Sequence, residues 1–521
     1  MPQISPAKPY SQSEKAARNV RTPAEKVRAP AGQLSAAPAA RKSAVRVAGS
    51  DAGQPLLQPD RFFDSDPAIR RAAREIFDGT RGLPLICPHG HVDPALLANN
   101  QPFPEPTTLL ITPDHYIYRM LYSRGIPMEE LGVPARDGST AGADPRKVWR
   151  LFAQNYYLFR GTPTGVWLDY ELYELFGVRL RLGPETADEV YDAISERLST
   201  PDFLPRALYE RFNIETLVTT DKATDTLADH RAIRESGWKG DVLPCFRPDA
   251  LFRIAAPQWR KELRALEEIS GREINNYQSF IPAIESRREF FRSMGATATD
   301  HAVVEPYTER LTNRAAESIF RRALAGDVNP AEERRFEAHM LMESARMSVE
   351  DGMVMQLHPG ALRDHNESVS AKFGADKGAD IPVATEYTRN LRALLNAHGN
   401  DPRLTLVIFT LDETTYAREL APIAGHYPAV RLGPPWWFND SIEGMTRFRQ
   451  MTTETGGIYN TAGFNDDTRA FCSIAARHDL ARRVDANWLG GLVAKHLIDM
   501  NDAREMGRAL AYDLAKETYK L

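Results

Sequence analysis

The apolar stretch Leu-Pro-Leu-Ile-Cys-Pro-His-Gly-His, residues 83–91, ends in two imidazoles separated by one glycine. Side chains alternate along a strand, so His89 and His91 point to the same side and can converge on one ion. Gly90 lets another backbone approach closely between them. A second concentration of polar groups lies in Ile-Tyr-Asn-Thr-Ala-Gly-Phe-Asn-Asp-Asp-Thr-Arg-Ala-Phe, residues 458–471, where Asp466 and Asp467 adjoin and Arg469 follows. A carboxylate at the end of a late strand, facing two histidines from the first, would complete a three-ligand site with an open position, as in catalytic zinc centres. Asp466 has a competing use as the cap of a helix containing Phe471–Ala476. His358 ends a third apolar run, where Pro359-Gly360 breaks the chain. A histidine there can be a core polar group or part of the same constellation.

Three further segments carry groups suited to a small polar substrate: Asp114-His115-Tyr116, Phe246-Arg247-Pro248-Asp249 and Pro435-Trp436-Trp437-Phe438-Asn439-Asp440. Indole faces pack on the apolar face of a sugar, and arginine grips a carboxylate through two parallel hydrogen bonds. Taken singly, each segment serves packing equally well.

These groups need a scaffold that gathers strand ends. Short apolar runs at Leu83–Cys87, Ile214–Thr219, Val242–Phe246, Met353–Leu357, Leu404–Phe409, Ala429–Leu432 and Ile458–Thr461 read as strands. Helical stretches such as Arg146–Phe159, Ala187–Leu198, Ala315–Ala325, Ala331–Ser348 and Glu386–His398 lie between them. Alternation of this kind predicts parallel βαβ units. Seven strands are visible, and an eighth would close a (β/α)8 barrel with its chemistry at the strands' C-terminal ends. Residues 100–205 and 255–350 show no clear barrel strand and read as helical insertions on barrel loops, within a single metal-dependent barrel spanning 56–521. Residues 1–55, rich in Ala, Pro, Ser, Lys and Arg, read as a disordered basic arm. The arm lacks the apolar core of a secretory signal but shares the Arg-rich, acid-poor character of transit peptides.

Composition sets outer bounds. The 521 residues are 42% hydrophobic and 26% charged, which excludes collagen-like and wholly disordered chains. No apolar run approaches the roughly 18 residues of a membrane span. Cys87, Cys245 and Cys472 are too few and too scattered for a disulfide framework, so a reducing compartment, the cytoplasm, is expected. Residues 1–50 carry net charge +7 and the remainder −12, which argues against a nucleic-acid surface on the folded part.

Together these segments resemble the uronate (glucuronate) isomerase family of the amidohydrolase superfamily. His89-Gly90-His91 with Pro94, Asp114-His115-Tyr116, Thr219-Thr220-Asp221 with Asp225-Thr226-Leu227, and Phe246-Arg247-Pro248-Asp249 match family motifs in order. So do Gln356-Leu357-His358 with Gly360-Ala361-Leu362-Arg363, Trp436-Trp437-Phe438-Asn439-Asp440 and Asp467-Thr468-Arg469. The sequence departs from the family pattern in having Gly90 for Cys, Val92-Asp93 for Leu-Ser, Ile117 for Lys and Asp466 for Thr.

The resemblance implies a distorted (β/α)8 TIM barrel that interconverts an aldose uronic acid and its ketose, such as glucuronate and fructuronate. It implies that His89, His91 and Asp467 hold a divalent metal, zinc being the expected ion. His115, Tyr116, Arg247, His358, Arg363, Trp436 and Arg469 would surround the substrate, with His358 open to either set. Proton transfer through an enediolate needs an acid–base group and stabilisation of the developing charge. Asp467 or Tyr116 could carry the proton, and Arg247 or Arg363 could clamp the carboxylate. The alternative is a metal-dependent hydrolase, a lactonase or amidohydrolase, acting on a related sugar acid. The expected setting is a cytoplasmic homo-oligomer working on a small uronic acid, with neither nucleic acid nor membrane as partner.

Overall fold

The computed structural model describes residues 56–139 and 142–521, so the arm expected over residues 1–55 lies outside the described residues. Seven strands form one parallel sheet: β1 (Leu85–Cys87), β2 (Ile214–Lys222), β3 (Asp241–Arg247), β4 (Ala298–Val303), β5 (Val354–Pro359), β8 (Leu406–Ile408) and β9 (Val430–Leu432). Neighbours pair in that order, each in parallel. Between β5 and β8, β6 (Ala361–Leu362) and β7 (Ile381–Pro382) make a separate antiparallel ladder. Every residue of β4 and β5 is buried, as in parallel strands covered on both faces. Val218, Cys245, Ala298, Val354, Val407 and Phe409 fill the space inside the sheet, together with Tyr519 from the C-terminal end.

The eighth place in the ring departs from expectation. Ile458–Thr461 is not a strand: Ile458–Asn460 makes a single 3-10 turn, and only Thr461 bridges, to Leu432. Gly457, at φ +71°, turns the chain away from an extended course. An irregular segment then spans the gap. Ala462 N donates to Leu432 O at 2.8 Å on one side, and His91 N donates to Thr468 O at 3.0 Å on the other. The architecture is a distorted (β/α)8 barrel, closed by a loop where the eighth strand would lie.

A strand also lies where only helices were expected. β4 falls within residues 255–350, so that span is not a purely helical insertion. Its sequence, Ala-Thr-Asp-His-Ala-Val, puts Asp300 and His301 in the middle of a buried strand, and this polar pair masks the apolar run. Between β1 and β2 the described residues form helices only.

Several helices follow local signals. Pro330–Asp351 starts with a capping box between Asn329 and Glu332 and stops at Gly352. The helix expected over Arg146–Phe159 is α-helical only through Gln154 and finishes as a 3-10 turn. The one expected from Glu386 starts at Arg392, because the Glu386 carboxylate accepts from the Arg389 and Asn390 amides and stabilises a turn instead.

Candidate metal centre and substrate pocket

The His-Gly-His segment leaves β1 and is fixed from both sides. Thr220 Oγ1 donates to Gly90 O at 2.8 Å, and a Cβ at position 90 would lie 3.4 Å from Thr468 O. His89 Nε2 and His91 Nε2 lie 3.5 and 3.1 Å from Asp467 Oδ1. That oxygen nevertheless completes no hydrogen bond, so the three groups converge on a point rather than pair with one another. Asp467 is in the left-handed region at φ +36°, a conformation costly for a residue with a Cβ and tolerated where surrounding contacts impose it. Burial would raise its pKa, but His89 and His91 draw it well below the usual carboxylate range. Burial also pushes His89 down to about 4, so its imidazole is neutral and able to offer a lone pair. Two imidazoles and a carboxylate with an orphaned oxygen fit a divalent metal.

His358 ends β5 with its ring stacked on His89, centroids 4.7 Å apart. Its Nδ1 meets Asp300 Oδ1 at 2.6 Å, and its Nε2 is buried without a partner. Sequence reading missed Asp300, whose strand went unseen. Arg247 holds the other Asp300 oxygen at 3.4 Å and donates from Nε to Asp249 at 2.8 Å. Burial works against an ionised Asp300, yet Arg247 and His358 carry its pKa well below the usual range. Arg247 thus has Nε bound to Asp249 and Nη1 beside Asp300, while its side chain stays 27% exposed.

Arg363 is likewise engaged, donating to Asp380 at 2.8 Å and lying 4.9 Å above the Trp437 ring. The Tyr116 hydroxyl is engaged within the protein. It faces both Asp440 oxygens at 3.2 and 3.3 Å and accepts from Phe438 N. Burial pushes that hydroxyl well above its ordinary pKa. Arg477, on the helix Ile474–Ala494, completes the group by donating to Asp440 at 2.9 Å. Asp466 does not cap that helix; its carboxylate meets His478 Nε2 at 3.3 Å.

A continuous line of rings leads outward from His358 to Trp436, then Trp437, then His115. Trp436 Nε1, Trp437 Nε1 and His115 Nε2 are all buried without a hydrogen-bond partner. Burial, together with Arg469, Arg119 and Arg477, depresses His115 to about 3, so it too is neutral. Arg469 is exposed and completes no ion pair among the described residues, and Lys377 lies over Tyr118 at 4.7 Å.

A family profile described as glucuronate isomerase matches residues 62–519. The chain belongs to that family. It is 55% identical over 469 residues to the uronate isomerase of Nostoc punctiforme, covering 90% of this chain and 99% of that one. With the uronate isomerase of Phenylobacterium zucineum it shares 51% over 465 residues, 89% and 97% of the two chains. The crystal structure of glucuronate isomerase from Caulobacter crescentus superimposes with a TM-score of 0.88 at 49% identity, covering 90% and 98%. That of Thermotoga maritima uronate isomerase does so at 0.83 and 29%, covering 89% and 99%.

Within this glucuronate isomerase fold, the groups that sequence reading missed come from places without a local signature. Asp300 sits mid-strand, Arg477 on a C-terminal helix, and Tyr519 two residues from the last one. Asp440 stood in a quoted motif, but nothing in the motif assigned it to Tyr116.

Proposed function

We propose that this chain interconverts an aldose uronic acid, glucuronate or galacturonate, and its ketose, fructuronate or tagaturonate, by proton transfer. The observation that carries the reading is the set of orphaned buried atoms around one line of rings: Asp467 Oδ1, His358 Nε2, Trp436 Nε1, Trp437 Nε1 and His115 Nε2. Buried polar atoms are seldom left unpaired, and a substrate bearing several hydroxyls supplies the missing partners. Family membership favours isomerisation over the hydrolase alternative.

His89, His91 and Asp467 would hold a divalent metal, which we take to be zinc. When bound, it polarises the oxygens that gain charge in an enediolate. The Asp467 carboxylate is the group we assign to carry the proton between carbons 2 and 1, since the Tyr116 hydroxyl is engaged by Asp440 and the Phe438 amide. His358, with Nδ1 donating to Asp300, presents a lone pair at Nε2 and accepts from a substrate hydroxyl. Arg469, unpaired, receives the carboxylate, and His115 and Trp436 orient the ring end of the molecule. Holding the charged end fixes the reacting carbons against the base.

We place the protein in the cytoplasm as a homo-oligomer acting on small molecules, without nucleic acid or membrane partners. No helix among the described residues is long and apolar enough to cross a membrane. Incubation with glucuronate and galacturonate in deuterium oxide, followed by NMR, tests the activity. Ketose carrying deuterium at carbon 1 is expected; unchanged uronate beside hydrolysis of the corresponding lactone would overturn the reading.

A further inference from the structure

The buried side of His89 faces a short relay inside the barrel. Gln356 Nε2 lies 3.4 Å from His89 Nδ1, and Tyr519 donates its hydroxyl proton to Gln356 Oε1 at 2.9 Å. Asn465 stands beside the Tyr519 hydroxyl. All four residues are essentially buried.

With the Gln356 amide placed this way, its nitrogen donates and His89 Nδ1 accepts, which leaves the imidazole proton on Nε2. A histidine that ligates through Nε2 needs the opposite tautomer, with the proton on Nδ1. Two donors would then confront each other at 3.4 Å. A half-turn of the Gln356 amide resolves the conflict. Oε1 accepts from Nδ1–H, and Nε2 donates to the Tyr519 oxygen. Amide orientation is itself set by such networks.

We propose that Gln356 and Tyr519 are positioning residues that set the tautomer of His89, and that the Gln356 amide reverses when His89 offers Nε2 to a metal. The proposal rests on the reading that His89, His91 and Asp467 hold a divalent ion. It gives the C-terminal end of the chain a part in metal affinity, although Tyr519 touches neither metal nor substrate.

Zinc affinity of the full-length metal-free protein, measured by competition with a chromogenic chelator, tests this, with melting temperature read in parallel. Gln356→Leu should weaken zinc about 10- to 100-fold, the usual effect of losing a partner behind a ligating histidine. Tyr519→Phe should weaken it in the same direction without unfolding the metal-free protein. Gln356→Glu should stay within about threefold of the native chain, because a carboxylate can only accept and so suits Nδ1–H. Native affinity in Tyr519→Phe, or a loss in Gln356→Glu as large as in Gln356→Leu, would overturn the relay. His89→Ala keeps the two readings apart. If it binds zinc as tightly as the native chain, the metal centre itself is misassigned. If it loses zinc while the relay variants do not, only the relay fails.

Discussion

At the strand ends, carboxylates and bases answer one another within the protein. Asp300 is shared by His358 and Arg247, and Asp467 faces His89 and His91, all but His91 and Arg247 largely buried. At the outer rim the cations lack such partners: Arg469 is exposed and unpaired, and Lys377 rests on an aromatic face. The inner half is preorganised, because its charges were desolvated and oriented when the chain folded. The rim leaves charge to be answered by a ligand. Substitutions should therefore cost stability and metal in the first region, and substrate affinity alone in the second.

The sharpest break should come from His89→Ala combined with His91→Ala. Elemental analysis of protein purified without added metal is expected to show metal lost, with turnover down on the order of 10³-fold or more. Full metal content would remove the centre from these residues.

Next in size is Asp300→Ala, which leaves Arg247 and His358 without their shared counter-charge. Removing one partner of a buried pair costs about 3–5 kcal/mol, to be read from denaturant unfolding. Arg247→Lys should lower the melting temperature in the same sense, since Arg247 is tied to Asp249 and Asp300. Unchanged stability in both would mean that the inner half is not held by its ion pairs.

The third expectation concerns acid. Burial pushes His230 and His301 down to about 4, so folding keeps both neutral while the unfolded chain protonates them near 6.5. The unfolded state then binds more protons, and stability falls as pH drops from about 6.5 through about 4. Each histidine contributes on the order of 3 kcal/mol across that window. A urea midpoint flat between pH 7 and 4 would contradict this.

The smallest effect belongs to the rim. Arg469→Lys should lower kcat/KM for uronates about 10- to 150-fold, with melting temperature unchanged because no internal partner is lost. Equal losses on a neutral sugar would show that Arg469 does not read the carboxylate.

Part of this was legible beforehand for a local reason. His89 and His91 adjoin an apolar run, Asp467 sits in a dense polar segment, and both signals survive without knowledge of distant contacts. Asp300 stayed hidden because β4 is polar at its centre. Ile458–Thr461 looked like a strand because its composition is β-prone, whereas the backbone before it turns at Gly457. Arg247 and Arg363 stand beside strand ends, but their pairing with Asp249, Asp300 and Asp380 is something sequence does not place.

The order of motifs along the chain, by itself, pointed to the barrel class and the family, and strand alternation singled out His89 and His91, because such signals act over a few residues. The tertiary structure alone decided which charges are spent and which are free. Asp300 reaches Arg247 and His358 from a neighbouring strand, and Tyr519 reaches Gln356 across 163 residues. Such pairings follow from the closing of the sheet, which brings together groups that no local pattern relates.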